Sequence, residues 1–328
     1  MRMSTTIAEY LASRESDGYA HNTIKNDRFT LERIVHIIGD IDVANFTPQM
    51  FDRVMAHETE RKLTAGSLNM YISVGRSFTK WCQSRGYMPT TLNPAQRRWR
   101  RETPKTHDYI PVGQFMPLLD ASPIPRDRAL MALGLFTMAR QNEITRLRVK
   151  DVSLERGYIS LSITKTHDAD EIPISSELDA ELRRWLTHFT TTMGPLDPDW
   201  YLLPGLKPIG LGKFGLAPGQ PVSRPEDVVK RCLKPLGWKF APRTGMHLLR
   251  RSAARARYDE LVDRGYDGAL RQVQVWLHHK SVTQTEEYIG LSLDRQTRDQ
   301  DTKGQPLFPS LSGVVQLGSH GEGISAAV

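Results

Sequence analysis

The chain has 328 residues, with 44 Lys and Arg against 37 Asp and Glu and a net charge of +7. This length predicts two domains, each with its own hydrophobic core. The positive charge favours a polyanionic partner, most commonly nucleic acid, although a solvated basic surface is the alternative. Cys82 and Cys232 stand far apart with no soft ligand beside them, which excludes a disulfide framework or a zinc knuckle and indicates a reducing, cytoplasmic setting.

We expect no membrane association. The N-terminus lacks an apolar stretch of signal-peptide length. The longest apolar run, 129–139, is too short to cross a bilayer and predicts a buried helix.

The first part of the chain predicts a small domain of four helices. Apolar residues recur at helical spacing at 7–11 and from Phe29 to Ile38. Thr47 before a proline marks the start of the third helix, and a fourth is predicted over about 66–85.

A basic segment at 93–108 is the best linker in the sequence. Pro94 and Pro104 discourage regular structure, and basic residues surround Trp99. The segment is either a solvated hinge or a strap along a DNA backbone, where each neutralised phosphate releases counterions; we favour the strap. The residues predicted to contact DNA are Arg97, Arg98, Arg100, Arg101 and Lys105.

The rest of the chain predicts helices around a small β-hairpin. Two helices with a turn at Arg140 precede a strand at 159–163 and a return strand at 172–174. The Pro-rich and Gly-rich stretch 191–222 predicts a loop, and Ser223 predicts the cap of the next helix. The predicted fold class is therefore mainly α with a small β-hairpin sheet in the second domain.

Several residues here carry usable chemistry, although each is ambiguous alone. His247 and Arg250 are three apart on a predicted helix, so they share a face and can donate to one anion, but such a pair is more often a surface feature. Arg140 directly follows a buried helix, where it has either a functional or a structural role through Glu143. Lys165 ends a strand, a position where lysine is usually just solvated.

His279 and Tyr288 are nine residues apart. On one continuous helix, nine steps of about 100° would place them on opposite faces. Thr283 and Glu286 have the spacing of a capping box, which predicts that a new helix starts there and that His279 can fold back toward Tyr288. Adjacent His278 and His279 cannot easily bind one ion, so no metal site is predicted.

In this order and spacing the residues resemble the tyrosine recombinase (phage integrase) family. The matching fragments are T-x-x-R-x-x-E, TKT, H-x-L-R, L-x-H and the tyrosine nine residues on, and the resemblance extends over about residues 4–295. The catalytic residues that it implies are Arg140, Lys165, His247, Arg250, His279 and Tyr288.

The resemblance implies cleavage of DNA by Tyr288, giving a 3′-phosphotyrosyl link and a free 5′-hydroxyl while Arg140 and Arg250 bind the non-bridging oxygens. Because the covalent link conserves the bond energy, no ATP or other cofactor is expected. The supporting roles are general acid for Lys165, proton transfer for His247 and hydrogen bonding to the phosphate for His279. Met138 and His278 stand where the family usually has glycine, which puts the local backbone geometry in question.

The resemblance also implies an organisation and partners. We expect a simple integrase of a phage or mobile element, without an arm-binding domain, that clamps double-stranded DNA at inverted repeats as a homotetramer on two duplexes, in the cytoplasm and nucleoid of a bacterial host. The terminal ISAAV is similar to apolar tags read by bacterial proteases, so a host protease is a further expected partner, and a functionless end is the alternative. The predicted divisions are a helical core-type DNA-binding domain at 1–94, a basic linker at 95–108, a catalytic domain at 109–298 and a flexible tail at 299–328.

Three other functions compete with this interpretation. A type IB-like topoisomerase uses the same cleavage without strand exchange. A non-catalytic DNA-binding regulator would explain the charge but leave six ordered positions to chance. A metal-dependent nuclease or transposase lacks a clustered acidic triad in the sequence.

Overall fold

The computed structural model describes residues 1–91, 93–100, 108–162, 169–238 and 245–291. The chain divides into two compact units, Met1–Pro104 and Lys105–Val328. The predictions for Arg101, Lys105, Lys165 and the tail at 299–328 lie outside the described residues. Among the residues that are described, no helix is long and apolar enough to cross a membrane, and no group of three His, Cys, Asp or Glu side chains could hold a metal ion.

The first unit is a helical bundle. Thr47 caps the third helix as predicted, since its hydroxyl accepts from the backbone N–H of Met50. Phe29 does not face the core as predicted: it is 62% exposed. The buried stripe of its helix runs through Ile24, Leu31 and Ile34, and two steps of about 100° from Leu31 carry Phe29 out of that stripe. The helices are α1 (Met3–Ser16), α2 (His21–Ile38), α3 (Pro48–Glu60) and α4 (Ala65–Ser84).

The second unit surrounds a central buried helix with further helices and two small antiparallel sheets. Its helices are α5 (Phe115–Asp120), α6 (Pro125–Thr137), α7 (Gln141–Arg146), α8 (Ser176–Met193), α9 (Pro225–Leu233), α10 (Gly245–Asp263), α11 (Ala269–Trp276) and α12 (Val282–Ile289). Its strands are β1 (Val152–Ser153), β2 (Tyr158–Ser162), β3 (Ala169–Pro173), β4 (Pro204–Gly210) and β5 (Lys213–Pro221). The predicted fold class is confirmed.

The β2–β3 hairpin was predicted, and its register pairs Ile159 with Ile172. The loop prediction for 191–222 is wrong, because β4 and β5 form a second hairpin within it. Register shifts between Pro204 and Gly205 and between Pro208 and Gly210 accommodate the prolines and glycines that made this stretch look irregular.

The cap predicted at Ser223 is also wrong. Helix α9 begins at Pro225, so the N-cap position falls on Arg224, which has a left-handed backbone and makes no side-chain cap bond. Ser223 lies one residue too early for its hydroxyl to act as the cap.

Helix α6 lies at the centre of the second core and packs closely against α10. Leu130, Met131 and Leu133 are fully buried. On the α10 side the close approach depends on Gly134, because a Cβ atom there would lie 2.7 Å from Cδ1 and 3.1 Å from Cβ of Leu249. This contact brings the C-terminal end of α6 next to the N-terminal half of α10.

We predict that Gly134→Leu destabilises the protein by about 1–3 kcal/mol, because the added side chain overpacks the α6–α10 contact. Gly134→Ala should cost less, since the nearest atom belongs to the end of a flexible leucine side chain. Urea denaturation of the full chain measures both. Gly113→Leu is the matched control, because a Cβ at Gly113 meets nothing within 4 Å, and an equal loss in the control would contradict the packing argument.

Candidate active site

Arg140 is held at the start of α7 by Glu143. One carboxylate oxygen of Glu143 accepts from the Arg140 backbone N–H at 2.6 Å and the other from the guanidinium at 2.9 Å. Glu143 is only 7% exposed, so this ion pair is shielded from water on the carboxylate side. The sharp turn from α6 into α7 is made at Met138, whose φ is +53°.

Arg250 lies in the first half of α10 and is 3% exposed. Its guanidinium donates to the carbonyl of Met138 and, at 2.6 Å, to the carbonyl of Leu277. Arg140 donates to the same Leu277 carbonyl at 3.3 Å. One backbone oxygen therefore brings together two guanidinium groups that are 110 residues apart in the sequence.

The turn that supplies this carbonyl also carries His278 and His279. The backbone N–H of His279 donates to the Gln274 carbonyl at 3.1 Å, and the Gln274 amide donates to the His279 carbonyl at 3.0 Å. His278 has a φ of +49°, and its Nε2 lies 3.1 Å from a carboxylate oxygen of Asp170 on β3. The turn is thus tied to both α11 and the β2–β3 hairpin.

Met138 and His278 are the two positions where the resemblance implied glycine, and both have a left-handed backbone. Glycine adopts this conformation freely, whereas other residues lose roughly 1–2 kcal/mol there. In this chain each side chain makes contacts that glycine could not. Met138 is buried in a cluster with Ala253 and Leu277, and His278 binds Asp170.

The capping box predicted at Thr283 and Glu286 is wrong, although a new helix does begin after His279. Helix α12 starts at Val282, and the Ser281 hydroxyl accepts from the Gln284 backbone N–H at 3.2 Å. Ser281 has an extended backbone, and serine is among the preferred N-cap residues. The helix therefore begins two residues earlier than a cap at Thr283 would place it.

This early start places Tyr288 in the second turn of α12, next to His279. The two rings meet edge to face, with centroids 5.2 Å apart and planes at 85°. Nδ1 of His279 lies 3.1 Å from the hydroxyl of the buried Thr285. When that hydroxyl donates to Nδ1, Nε2 carries the ring proton and is able to donate to an anion.

The phenol of Tyr288 is surrounded by cationic side chains from two other elements. Its hydroxyl lies 3.4 Å from the His247 carbonyl oxygen. Burial raises the pKa of Tyr288, while the positive charges of Arg250, Arg251 and Arg140 act to lower that pKa. The balance favours the neutral phenol in the free protein.

Both histidines of the site have lowered pKa values. Burial, with the charges of Arg250 and Arg140, lowers the pKa of His279 to about 4. The pKa of His247 is lowered by loss of hydration and by the neighbouring arginines, against a smaller opposite effect of Glu226. Both rings are therefore neutral at pH 7.

The described structure thus brings together five of the predicted residues, in this order along the chain: Arg140, His247, Arg250, His279 and Tyr288. Sequence reasoning missed Arg251, which lies over the Tyr288 ring with Cζ 5.7 Å from the centroid. The only signal for it was the Arg-Arg pair in MHLLRRSAAR.

The predicted DNA-contacting residues that the structure describes belong to the first unit. Arg97 forms an ion pair with Asp52 at 3.1 Å. Arg98 and Arg100 are exposed, and the backbone of Arg100 is fixed by Asn69 through bonds of 2.8 and 3.0 Å. The segment 93–100 therefore presents two arginines on an anchored backbone.

We predict that the protein loses stability as the pH falls from about 6.5 to about 4. The pKa of His279 is depressed by folding, so over this interval the unfolded chain binds a proton that the folded chain excludes. His279→Gln should reduce the pH dependence, leaving the contribution of His247. Urea denaturation at pH 7, 6 and 5 measures the difference, and identical pH dependence in both proteins would contradict it.

Solved structures share this fold. A lambda integrase dimer bound to a COC′ core site matches with a TM-score of 0.66 and 17% identity, over 88% of this chain and 95% of that one. A lambda integrase tetramer bound to a Holliday junction matches with a TM-score of 0.63 and 18% identity, over 86% and 79% of the two chains.

Sequence comparison leads to the same group of proteins. The tyrosine recombinase XerA of Pyrococcus furiosus is 24% identical over 292 residues, which are 87% of this chain and 89% of XerA. The profile of the phage integrase family matches residues 112–294, more than half of the chain, and this range contains all six residues predicted to be catalytic. The prediction from the sequence is therefore confirmed at the level of the family: this protein belongs to the phage integrase family of tyrosine recombinases.

Proposed function

We propose that this protein is a site-specific recombinase that cleaves and rejoins DNA through a phosphotyrosyl intermediate at Tyr288. The observation that carries the proposal is the convergence of Arg140 and Arg250 on the Leu277 carbonyl, beside the phenol of Tyr288. Two fixed guanidinium groups beside a nucleophile form a binding site for a phosphodiester. The phosphate would bind the donors that the carbonyls leave unused.

The arginines also reduce the main free-energy cost of the reaction, which is the ionisation of the phenol. A phenol has a pKa near 10, so its ionisation at pH 7 costs roughly 4 kcal/mol. Positive charge fixed beside the phenol lowers this cost, and it stabilises the charge that develops on the phosphoryl oxygens. Arginine suits this task better than lysine because its planar fork of donors matches two oxygens at once.

In the proposed reaction the Oη–P bond of Tyr288 forms and the bond from phosphorus to the 5′-oxygen breaks. The neutral imidazole of His247 accepts the phenolic proton, directly or through water, and His279 donates from Nε2 to a non-bridging oxygen. Lys165, which lies outside the described residues, supplies the proton to the leaving 5′-oxygen. Attack by a 5′-hydroxyl reverses these steps and reseals a strand, so no external energy source is required.

The biological setting is part of the same proposal. We infer that two domains clamp double-stranded DNA at inverted repeats, that four protomers act on two duplexes, and that the reaction integrates or excises a phage or mobile element in the cytoplasm of a bacterial host. The Holliday-junction tetramer of lambda integrase supports the assembly. A host protease that reads the last five residues remains a prediction.

We predict that the protein forms a covalent adduct with a nicked suicide substrate and that Tyr288→Phe abolishes it, because phenylalanine has no nucleophilic oxygen. Denaturing gel electrophoresis measures the adduct. Tyr266→Phe is the matched control, since Tyr266 is 52% exposed and lies outside the site. Full adduct formation by Tyr288→Phe would refute the assignment.

A second assay separates recombination from its rivals. A supercoiled plasmid with two copies of the target site should yield recombinant circles, and the reaction should persist in EDTA. Relaxation alone would indicate a topoisomerase, and loss of activity in EDTA would indicate a metal-dependent nuclease or transposase.

We also predict that Arg98→Ala with Arg100→Ala weakens DNA binding by a similar factor on all sequences. Loss of two phosphate contacts should reduce the slope of log affinity against log salt by about 2. Gel shifts at several salt concentrations measure this. Arg183→Ala is the control, because Asp179 already pairs with Arg183 at 2.7 Å. A selective effect at one base position would contradict a role confined to the DNA backbone.

A further inference from the structure

Arg251 follows Arg250 on α10 and is a buried charge, among the residues that the structure describes, that the proposed reaction does not use. It is 8% exposed and forms no ion pair within the described residues, and the charge of Asp108 offsets part of the lowering of its pKa by burial. Arg126, another buried arginine, pairs with Asp127 at 2.6 Å. Burying an arginine without a carboxylate costs free energy, so its other contacts require an explanation.

Two contacts hold the Arg251 side chain in place. Its guanidinium donates to the Asp108 carbonyl at 3.1 Å. Its Cζ lies 5.7 Å from the centroid of the Tyr288 ring, within the range of a cation–π interaction. Within the described part of the chain its Nε has no hydrogen-bond partner. The Arg251 side chain is therefore held between the Asp108 carbonyl and the Tyr288 ring, with its Nε unpaired within the described residues.

We infer that Arg251 is a positioning residue for the nucleophile: it holds the ring of Tyr288 and stabilises the phenolate that forms before attack. This inference rests on the proposed function of Tyr288 as nucleophile. Arg251 acts through the aromatic ring, whereas Arg250 is hydrogen-bonded to the phenol and, with Arg140, is placed to bind the phosphate.

The inference has a simple electrostatic basis. A cation near an aromatic face interacts modestly with a neutral phenol and far more strongly with a phenolate, so its effect increases as the proton leaves. The partly dehydrated site preserves this effect, since water screens the charge less there. Burial raises the pKa of Tyr288, so a cation near its ring offsets part of that rise.

The charges that face Tyr288 come from several elements. Both histidines are neutral at pH 7 because their pKa values are lowered, which leaves the arginines as the cations beside the phenol among the residues that the structure describes. The charged and titratable groups around the site are Arg140 immediately before α7, Glu143 on α7, Glu226 on α9, His247, Arg250 and Arg251 on α10, His279 in the turn, and Asp108.

The test is the rate of single-turnover cleavage on the nicked suicide substrate. Arg251→Met should cleave about tenfold more slowly than the wild type at pH 7, because its phenol ionises less readily. Burial keeps the pKa of Tyr288 above the ordinary value near 10, so this loss should be the same at every pH below about 9. Arg251→Lys should fall between the two proteins, since it keeps the charge but not the planar group. No loss in Arg251→Met would refute the inference.

Arg257→Met is the matched control. Arg257 lies on the same helix with Cζ 4.9 Å from the centroid of the Trp276 ring, and its Nε also lacks a hydrogen-bond partner among the described residues. Its replacement should leave the cleavage rate unchanged. A loss equal to that of Arg251→Met would refute a specific effect on Tyr288.

A second measurement replaces Tyr288 with 3,5-difluorotyrosine, a more acidic phenol. The defect of Arg251→Met should then shrink, because an acidic phenol depends less on the cation, whereas a purely structural defect would persist and refute the inference. Circular dichroism and gel shifts establish folding, and the comparison is made with Arg251→Lys if the Met variant does not fold. Absence of any adduct in the wild type would refute the proposed function itself, while an unchanged Arg251→Met in an active protein would refute only this inference.

Discussion

The site depends on one backbone oxygen, the carbonyl of Leu277, which accepts from both Arg140 and Arg250. Two guanidinium groups repel each other when they are brought close, and a shared acceptor offsets part of this repulsion. The carbonyl belongs to the turn that carries His279, so the geometry of one short turn sets the position of three groups at once. The α6–α10 packing at Gly134 provides the rigid base on which this arrangement is built.

The sequence was sufficient to predict the four helices of the first unit, the β2–β3 hairpin and five residues that the described structure brings together, because periodicity and motif spacing are local signals. The sequence did not predict the features that depend on tertiary structure. The β4–β5 hairpin forms despite its prolines and glycines, since bulges accommodate them. Arg251 was missed because its role depends on the position of Tyr288, 37 residues further along the chain.

The two departures from the family pattern illustrate how a chain accommodates local strain. Met138 and His278 keep the left-handed backbone that glycine would adopt freely. Each side chain makes a contact that offsets part of the strain, in an apolar cluster for Met138 and with Asp170 for His278. A missing glycine in a motif therefore does not show that the backbone geometry has changed.

The central claim is that Tyr288 forms the bond to DNA. After reaction with a suicide substrate, digestion with trypsin and nuclease should yield the peptide 281–295, which contains Tyr288 as its single tyrosine. Tandem mass spectrometry should place a nucleotide on Tyr288, joined through its 3′-phosphate. A nucleotide on any other residue, or a link through a 5′-phosphate, would contradict the account.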